Sequence, residues 1–150
     1  MPELDSLDLL FVITAFVFQI ILIIHFALRK WRFDAALRYG VTVYLLGIPA
    51  AVVSVILLEG GKPWGLWLGG LLWLAWGAFG FWVEYIKKMT EWRSPIRWSV
   101  FIPYITLFLA TSMFLWFPLN LIWRPLFYIQ GGLFVISTIL NVTSHKPEKG

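Results

Sequence analysis

Five long stretches of this chain contain no Asp, Glu, Lys or Arg, and the charged residues are confined to short segments between them. The uncharged stretches are residues 9–28, 39–58, 63–83, 98–123 and 125–144. A helix rises about 1.5 Å per residue, so about 20 apolar residues cross a hydrocarbon core of about 30 Å. The pattern therefore predicts an all-α integral membrane protein, built as a bundle of five transmembrane helices.

Turn-forming residues refine the ends of these spans. The predicted spans are about 9–28, 39–58, 63–86, 98–117 and 121–143. The last two are separated at Pro118 and Asn120, because both residue types favour turns. Pro125 then lies in the first turn of the fifth helix, where its missing N–H leaves no hydrogen bond unmade. Together the spans make residues 1–150 a single transmembrane domain.

The basic residues are distributed unequally between alternate connections. Ten of the 12 Lys and Arg residues lie in the first and third connections and the C-terminal tail, and two, Lys62 and Arg124, lie in the second and fourth. Because Lys and Arg accumulate on the cytoplasmic side of a membrane, the N-terminus is expected outside and the C-terminus inside. The expected location is the cytoplasmic (inner) membrane.

The composition agrees with these spans and excludes several classes of function. Hydrophobic residues make up 60% of the chain and charged residues 13%, against about a quarter charged in soluble domains. The formal net charge is +4, but the cations form no basic face, so nucleic acid is not an expected partner. The absence of Cys excludes disulfides, thiolate metal sites and iron–sulfur clusters, and no metal site is predicted.

Small residues mark one side of the second and third spans. At 100° per residue the glycines of span three fall within an arc of about 140°, and a stripe of small residues runs along span two. Such residues let two helices approach closely, so spans two and three are expected to pack together. The predicted helix-packing residues are Gly47, Ala51, Ser54, Gly65, Gly69, Gly77 and Gly80.

Trp73 and Trp76 share the glycine arc with Glu84. Two interpretations stay open for the rings: they pack against a neighbouring helix, or they outline a cavity for a flat apolar ligand. Glu84 either forms an interfacial ion pair with Lys87 or belongs to a proton- or ligand-coupled site, since ionisable groups at membrane depth often mark function. Polar residues of spans one and five are expected to face inward. The candidate ligand-binding residues are Trp73, Trp76, Glu84, Gln130, Asn141 and His25.

No signature of an enzyme is present: the chain has no Gly-rich phosphate loop, no paired catalytic carboxylates and no nucleophile elbow. No catalytic residue is therefore predicted. In span count, length and tryptophan content the chain is similar to the tryptophan-rich sensory/translocator proteins, which are five-helix binders of porphyrins and sterols. No residue is carried over from that family, because residues 29–40 contain no Pro and so lack the family's proline-and-tryptophan loop.

Two hypotheses for the function follow. The first is an interaction or accessory subunit of a membrane assembly, formed with further copies of this chain or with other membrane subunits. The alternative is a binder or carrier of a small apolar ligand, such as a lipid, sterol, porphyrin or pigment, in an intramembrane aromatic pocket. The lipid bilayer is an expected partner in both. No cofactor is predicted, and nothing in the sequence supports haem or another apolar cofactor.

Overall fold

The computed structural model describes residues 3–89 and 96–144, of which 88% are helical. Its elements are α1 (Ser6–Trp31), α2 (Phe33–Leu45), α3 (Gly47–Glu59), α4 (Trp64–Phe81), a π-helical turn (Trp82–Ile86), α5 (Trp98–Trp116), α6 (Leu119–Ile122) and α7 (Arg124–Ser144). They make five segments long and apolar enough to cross a membrane: Ser6–Trp31, Phe33–Glu59, Trp64–Ile86, Trp98–Ile122 and Arg124–Ser144. The prediction of an all-helical chain with five apolar helices is confirmed. Insertion and orientation stay predictions.

The start of α1 is set by a capping residue. Asp5 precedes the helix, and its Oδ1 accepts a hydrogen bond from the backbone N–H of Asp8 at 2.7 Å. Such a cap satisfies one of the N–H groups that lack a partner in the first turn. At the other end Arg29 and Lys30 occupy the last turn, where cations interact favourably with the carbonyl end of a helix. The helix is therefore longer than the uncharged stretch 9–28.

The second apolar segment is interrupted at Leu46, which separates α2 from α3. Pro49 lies in the first turn of α3 and has no N–H to donate to the carbonyl of Leu45. The regular bonding pattern resumes with Ala50, whose N–H donates to the carbonyl of Leu46 at 3.1 Å. Pro is among the common causes of such breaks in membrane helices.

The third segment ends in the π-helical turn. The N–H of Lys87 donates to the carbonyl of Trp82, five residues earlier, at 2.9 Å, and Lys88 then adopts a left-handed backbone with φ of 56°. π-helical turns are rare and occur frequently at functional sites. This one contains Glu84.

The fourth and fifth segments are separated where Pro118 predicted a turn. Phe117 and Pro118 form the turn after α5, and the short α6 follows. Trp123 is extended, with φ of −160°, and α7 begins at Arg124. This start lies three residues after the expected 121, because one more helical turn follows Pro118.

Two helices organise the bundle. α4 packs against α2, α3 and α5, whereas α1 packs against α2, α3 and α7. The buried core lies between them and includes Phe18, Leu22, Trp73, Trp76 and Leu115. α7 is peripheral: 11% of its apolar part is buried, against 44% for the segment that contains α4.

Candidate functional site

Trp73 and Trp76 lie in the buried core, with exposed fractions of 2% and 1%. Trp73 Nε1 donates a hydrogen bond to the carbonyl of Val43 at 2.9 Å. The ring of Phe18 contacts both indoles edge-to-face, with centroid distances of 4.8 and 6.0 Å, a geometry that aromatic pairs prefer. These contacts favour the packing interpretation of the two rings. A ligand site at the rings stays a prediction.

Trp76 is also surrounded by rings from α2 and α5. Its centroid lies 5.2 Å from Tyr44, 5.8 Å from Tyr104 and 5.6 Å from Phe108. Its Nε1 is buried and has no hydrogen-bond partner among the described residues. An unpaired buried N–H is unfavourable, so this atom would be stabilised by a small hydrogen-bond acceptor.

A group of polar side chains adjoins this aromatic cluster. The hydroxyls of Tyr44 and Tyr104 lie 3.2 Å apart, and the Glu84 carboxyl lies close enough to interact electrostatically with Tyr44. Tyr85, next to Glu84 in the π-helical turn, donates to the carbonyl of Leu37 at 2.9 Å. A carboxyl group beside a phenol pair within an apolar bundle can hold a proton. Glu84 was a candidate from the sequence, and its role stays a prediction; neither member of the phenol pair was a candidate.

Gln130 belongs to a different place, the seam between α1 and α7. Its Nε2 donates to the carbonyl of Ala15 at 3.0 Å, and Gln19 Nε2 donates to Ser137 Oγ at 2.5 Å. Gln130 Oε1 is buried without a partner among residues 3–89 and 96–144. Asn141 lies half-buried near the end of α7. The seam therefore attaches α7 to α1 through side-chain amides.

Three predicted packing glycines lie where two helices approach closely: Gly77 and Gly80 between α4 and α2, and Gly47 between α3 and α4. A Cβ on Gly77 would overlap the carbonyl oxygen of Tyr44, and a Cβ on Gly80 would lie 2.5 Å from the Tyr44 ring. A Cβ on Gly47 would lie 2.9 Å from the Cα of Leu74 in α4. Backbone atoms cannot rotate away as side chains do, so Gly77 and Gly47 let these helices approach closely.

The rest of the predicted packing set differs from one position to the next. Gly69 meets α5, since a Cβ there would lie 2.7 Å from a leucine methyl group of that helix. Ser54 is buried beside Gly70, and Ala51 is half-buried. Nothing lies within 4 Å of a Cβ placed on Gly65. The glycine face of α4 is therefore shared among α2, α3 and α5, rather than facing the second span alone.

His25 lies in a third place, a cleft between α1 and α2 with a volume of about 240 Å³, which we call the α1–α2 cleft. The lining residues are Ile21, Ile24, His25, Leu28, Tyr39, Thr42 and Val43. A Cβ on Gly40 would lie 2.9 Å from His25 Cε1, so this glycine makes room for the imidazole between the helices. Among the described residues, no three His, Asp or Glu side chains come together as metal ligands.

Lys62, in the loop between α3 and α4, forms two ion pairs at the start of α1. Lys62 Nζ lies 2.7 Å from Asp5 Oδ2 and 2.8 Å from Asp8 Oδ1. The hydrogen bond from Lys62 lowers the pKa of Asp5 below its ordinary value, and the bond to Asp5 raises the pKa of Lys62. Each group favours the charged form of the other.

No protein-family model, curated protein or solved structure matches the chain. The resemblance to the tryptophan-rich sensory/translocator proteins therefore rests on span count, length and tryptophan content. Five of the six candidate ligand-binding residues lie in three places: Trp73, Trp76 and Glu84 in the aromatic core with its polar neighbours, Gln130 in the α1–α7 seam and His25 in the α1–α2 cleft.

Proposed function

We propose that the protein is an interaction or accessory subunit of a membrane assembly, which binds a neighbouring membrane protein through the outer face of α7. The low burial of α7 is the observation that carries the proposal. Only 11% of its apolar part is buried, against 28% to 44% in the other four segments. The seam bonds nevertheless fix α7 on α1, so α7 belongs to the bundle and presents most of its surface outward.

The chemistry of the outer face supports association with another helix. Tyr128, Val135, Ile139 and Val142 are each more than half exposed, and their spacing puts them on one stripe of α7. Gly132 is exposed in the same stripe, with nothing within 4 Å of a Cβ placed on it. A glycine notch between larger apolar residues lets a second helix approach closely.

The small extent of chain outside the helices points the same way. The described residues are 88% helical, so a partner would be recognised mainly within the bilayer. The proposed location is the cytoplasmic (inner) membrane, with the N-terminus outside, in line with the distribution of basic residues.

Cysteine cross-linking tests the proposal, because the chain has no Cys. Ile139→Cys places a thiol on the outer face of α7, and Ile48→Cys is a matched control on α3, with exposed fractions of 57% and 56%. In native membranes we expect disulfide-linked dimers at Ile139→Cys only. If the partner is another membrane protein, a photoactivatable reagent attached to the thiol should cross-link it at Ile139→Cys only. Equal yields at both positions would contradict the proposal.

A further inference from the structure

The α1–α2 cleft has the chemistry of a lipid site. We propose that it binds one anionic phospholipid, with an acyl chain between the two helices and the phosphate at the basic elbow, which we define as residues 29–38. The proposal is independent of association through α7, because the cleft is formed by α1 and α2.

The size of the cleft selects the shape of the ligand. Its volume of about 240 Å³ is below the roughly 300–1,000 Å³ of sites that enclose drug-sized molecules. It follows α1 over residues 21–28, a rise of roughly 10 Å. A narrow groove of this size does not enclose a porphyrin or a sterol, but it accepts part of one acyl chain while the rest of the lipid stays in the bilayer.

The lining divides into an apolar and a polar part. The apolar lining residues, which an acyl chain would contact, are Ile21, Ile24, Leu28 and Val43. His25, Tyr39 and Thr42 supply hydrogen-bonding groups within the same cleft. Their side chains would face the ester and glycerol groups that join acyl chains to a phosphate. An amphiphile satisfies both parts.

The charge of the elbow selects the headgroup. The elbow holds four cations, Arg29, Lys30, Arg32 and Arg38, and one carboxylate, Asp34. Four cations and one carboxylate give the elbow a formal charge of +3. Arg29 directly follows Leu28 and Arg38 directly precedes Tyr39, two residues that line the cleft. Basic pockets between transmembrane helices bind anionic headgroups.

Aromatic residues place the elbow at headgroup depth. Trp31 and Phe33 are exposed, and aromatic side chains are enriched at membrane–water interfaces. Lys30 Nζ lies 5.2 Å from the Trp31 ring and the Arg29 guanidinium lies 5.9 Å from the Phe33 ring. The cations and the aromatic belt would therefore meet a lipid at its phosphate.

Native mass spectrometry of the full chain in mild detergent tests the proposal. The probes are dioleoyl phosphatidylglycerol and dioleoyl phosphatidylcholine, which share acyl chains and differ in headgroup charge. The test variant is Arg29→Gln with Arg38→Gln, and the control is Arg97→Gln with Arg124→Gln, which changes net charge equally away from the cleft. We expect wild type to prefer phosphatidylglycerol, and the test variant to bind it about 25-fold more weakly, from about 5-fold per cation. The control should bind like wild type.

A cleft-filling variant tests the acyl-chain part separately. Thr42→Trp should weaken binding of both lipids by the same factor, whereas Val52→Trp, at an exposed position of α3, should not. If Thr42→Trp does not fold, Ile24→Phe replaces it. Glycerol phosphate, which has the anionic group without a chain, should not displace the lipid. Equal binding of the two lipids by wild type, equal losses in the two arginine pairs, or displacement by glycerol phosphate would overturn the proposal.

Discussion

Substitution of Gly77 by Ala tests the packing of the bundle with one added methyl group. The new Cβ would overlap the carbonyl oxygen of Tyr44 and lie 3.2 Å from its Cα. Because the obstacle is backbone, α2 and α4 would have to separate. Gly65→Ala is the matched control: it makes the same change in the same helix, at a position with nothing within 4 Å of the new Cβ.

The magnitude follows from two opposing effects. Overpacking a close interface lowers the free energy of unfolding by about 1–3 kcal/mol, and the higher helix propensity of Ala offsets up to about 1 kcal/mol of this loss. A backbone obstacle belongs to the upper part of the first range, so we expect a net loss of about 1–2 kcal/mol for Gly77→Ala, a factor of roughly 5–30 in the unfolding equilibrium. Gly65→Ala should have wild-type stability or gain up to about 1 kcal/mol.

Unfolding by sodium dodecyl sulfate in mixed micelles measures both variants, and the 10 Trp residues supply a fluorescence signal. Far-ultraviolet circular dichroism checks that helix is lost in the same transition. Gly77→Ala should unfold at a lower detergent fraction than wild type, and Gly65→Ala should not. Equal stability of the two variants would refute the close approach of α2 and α4 at Gly77.

Three further predictions concern the seam, the charges beside α1 and the topology. Ser137→Ala removes the acceptor of the Gln19 amide, so we expect a loss of about 0.6–2 kcal/mol in the same titration, whereas Thr138→Ala, whose hydroxyl bonds within its own helix, should be neutral. Lys62 lowers the pKa of Asp5, so the pair stabilises the folded state above the ordinary aspartate value of 3.8 and this contribution is lost as pH falls through the lowered pKa. The melting-temperature difference between wild type and Lys62→Gln should therefore shrink as the pH falls through the lowered pKa of Asp5. Reporter fusions should place the N-terminus outside and the C-terminus inside.

Each of these predictions has a contradicting outcome. Equal losses in Ser137→Ala and Thr138→Ala would mean that the bond between the helices adds no stability. A melting-temperature difference that stays constant in acid would mean that Lys62 does not lower the pKa of Asp5. Both termini on one side would exclude an odd number of membrane crossings.

The sequence alone was sufficient for the number and helical nature of the apolar segments. Crossing a hydrocarbon core requires only length and the absence of charge, and both are local properties of the chain. The helix ends depend on local chemistry that an uncharged stretch does not reveal. Asp5 caps α1 before the apolar stretch begins, and Pro49 accompanies a break within the second segment.

Side-chain periodicity also predicted much about single helices. The 100° repeat correctly placed Trp73 and Trp76 together on a buried face of α4. It did not say which neighbour each position of that face would meet. Gly69 faces α5 while Gly77 faces α2, because the helices around α4 take positions set by the fit of all five segments.

The polar sites were decided by tertiary structure. The Tyr44 and Tyr104 hydroxyls meet across 60 residues of sequence, and the Gln19 amide meets Ser137 across 118. A polar residue in an apolar span must find a partner, so the sequence predicted that such groups face inward. The identity of each partner depends on which helices lie side by side, and with five similarly apolar helices no local pattern distinguishes one neighbour from another. The sequence therefore determined the segments and their inward faces, and only their packing determined the sites.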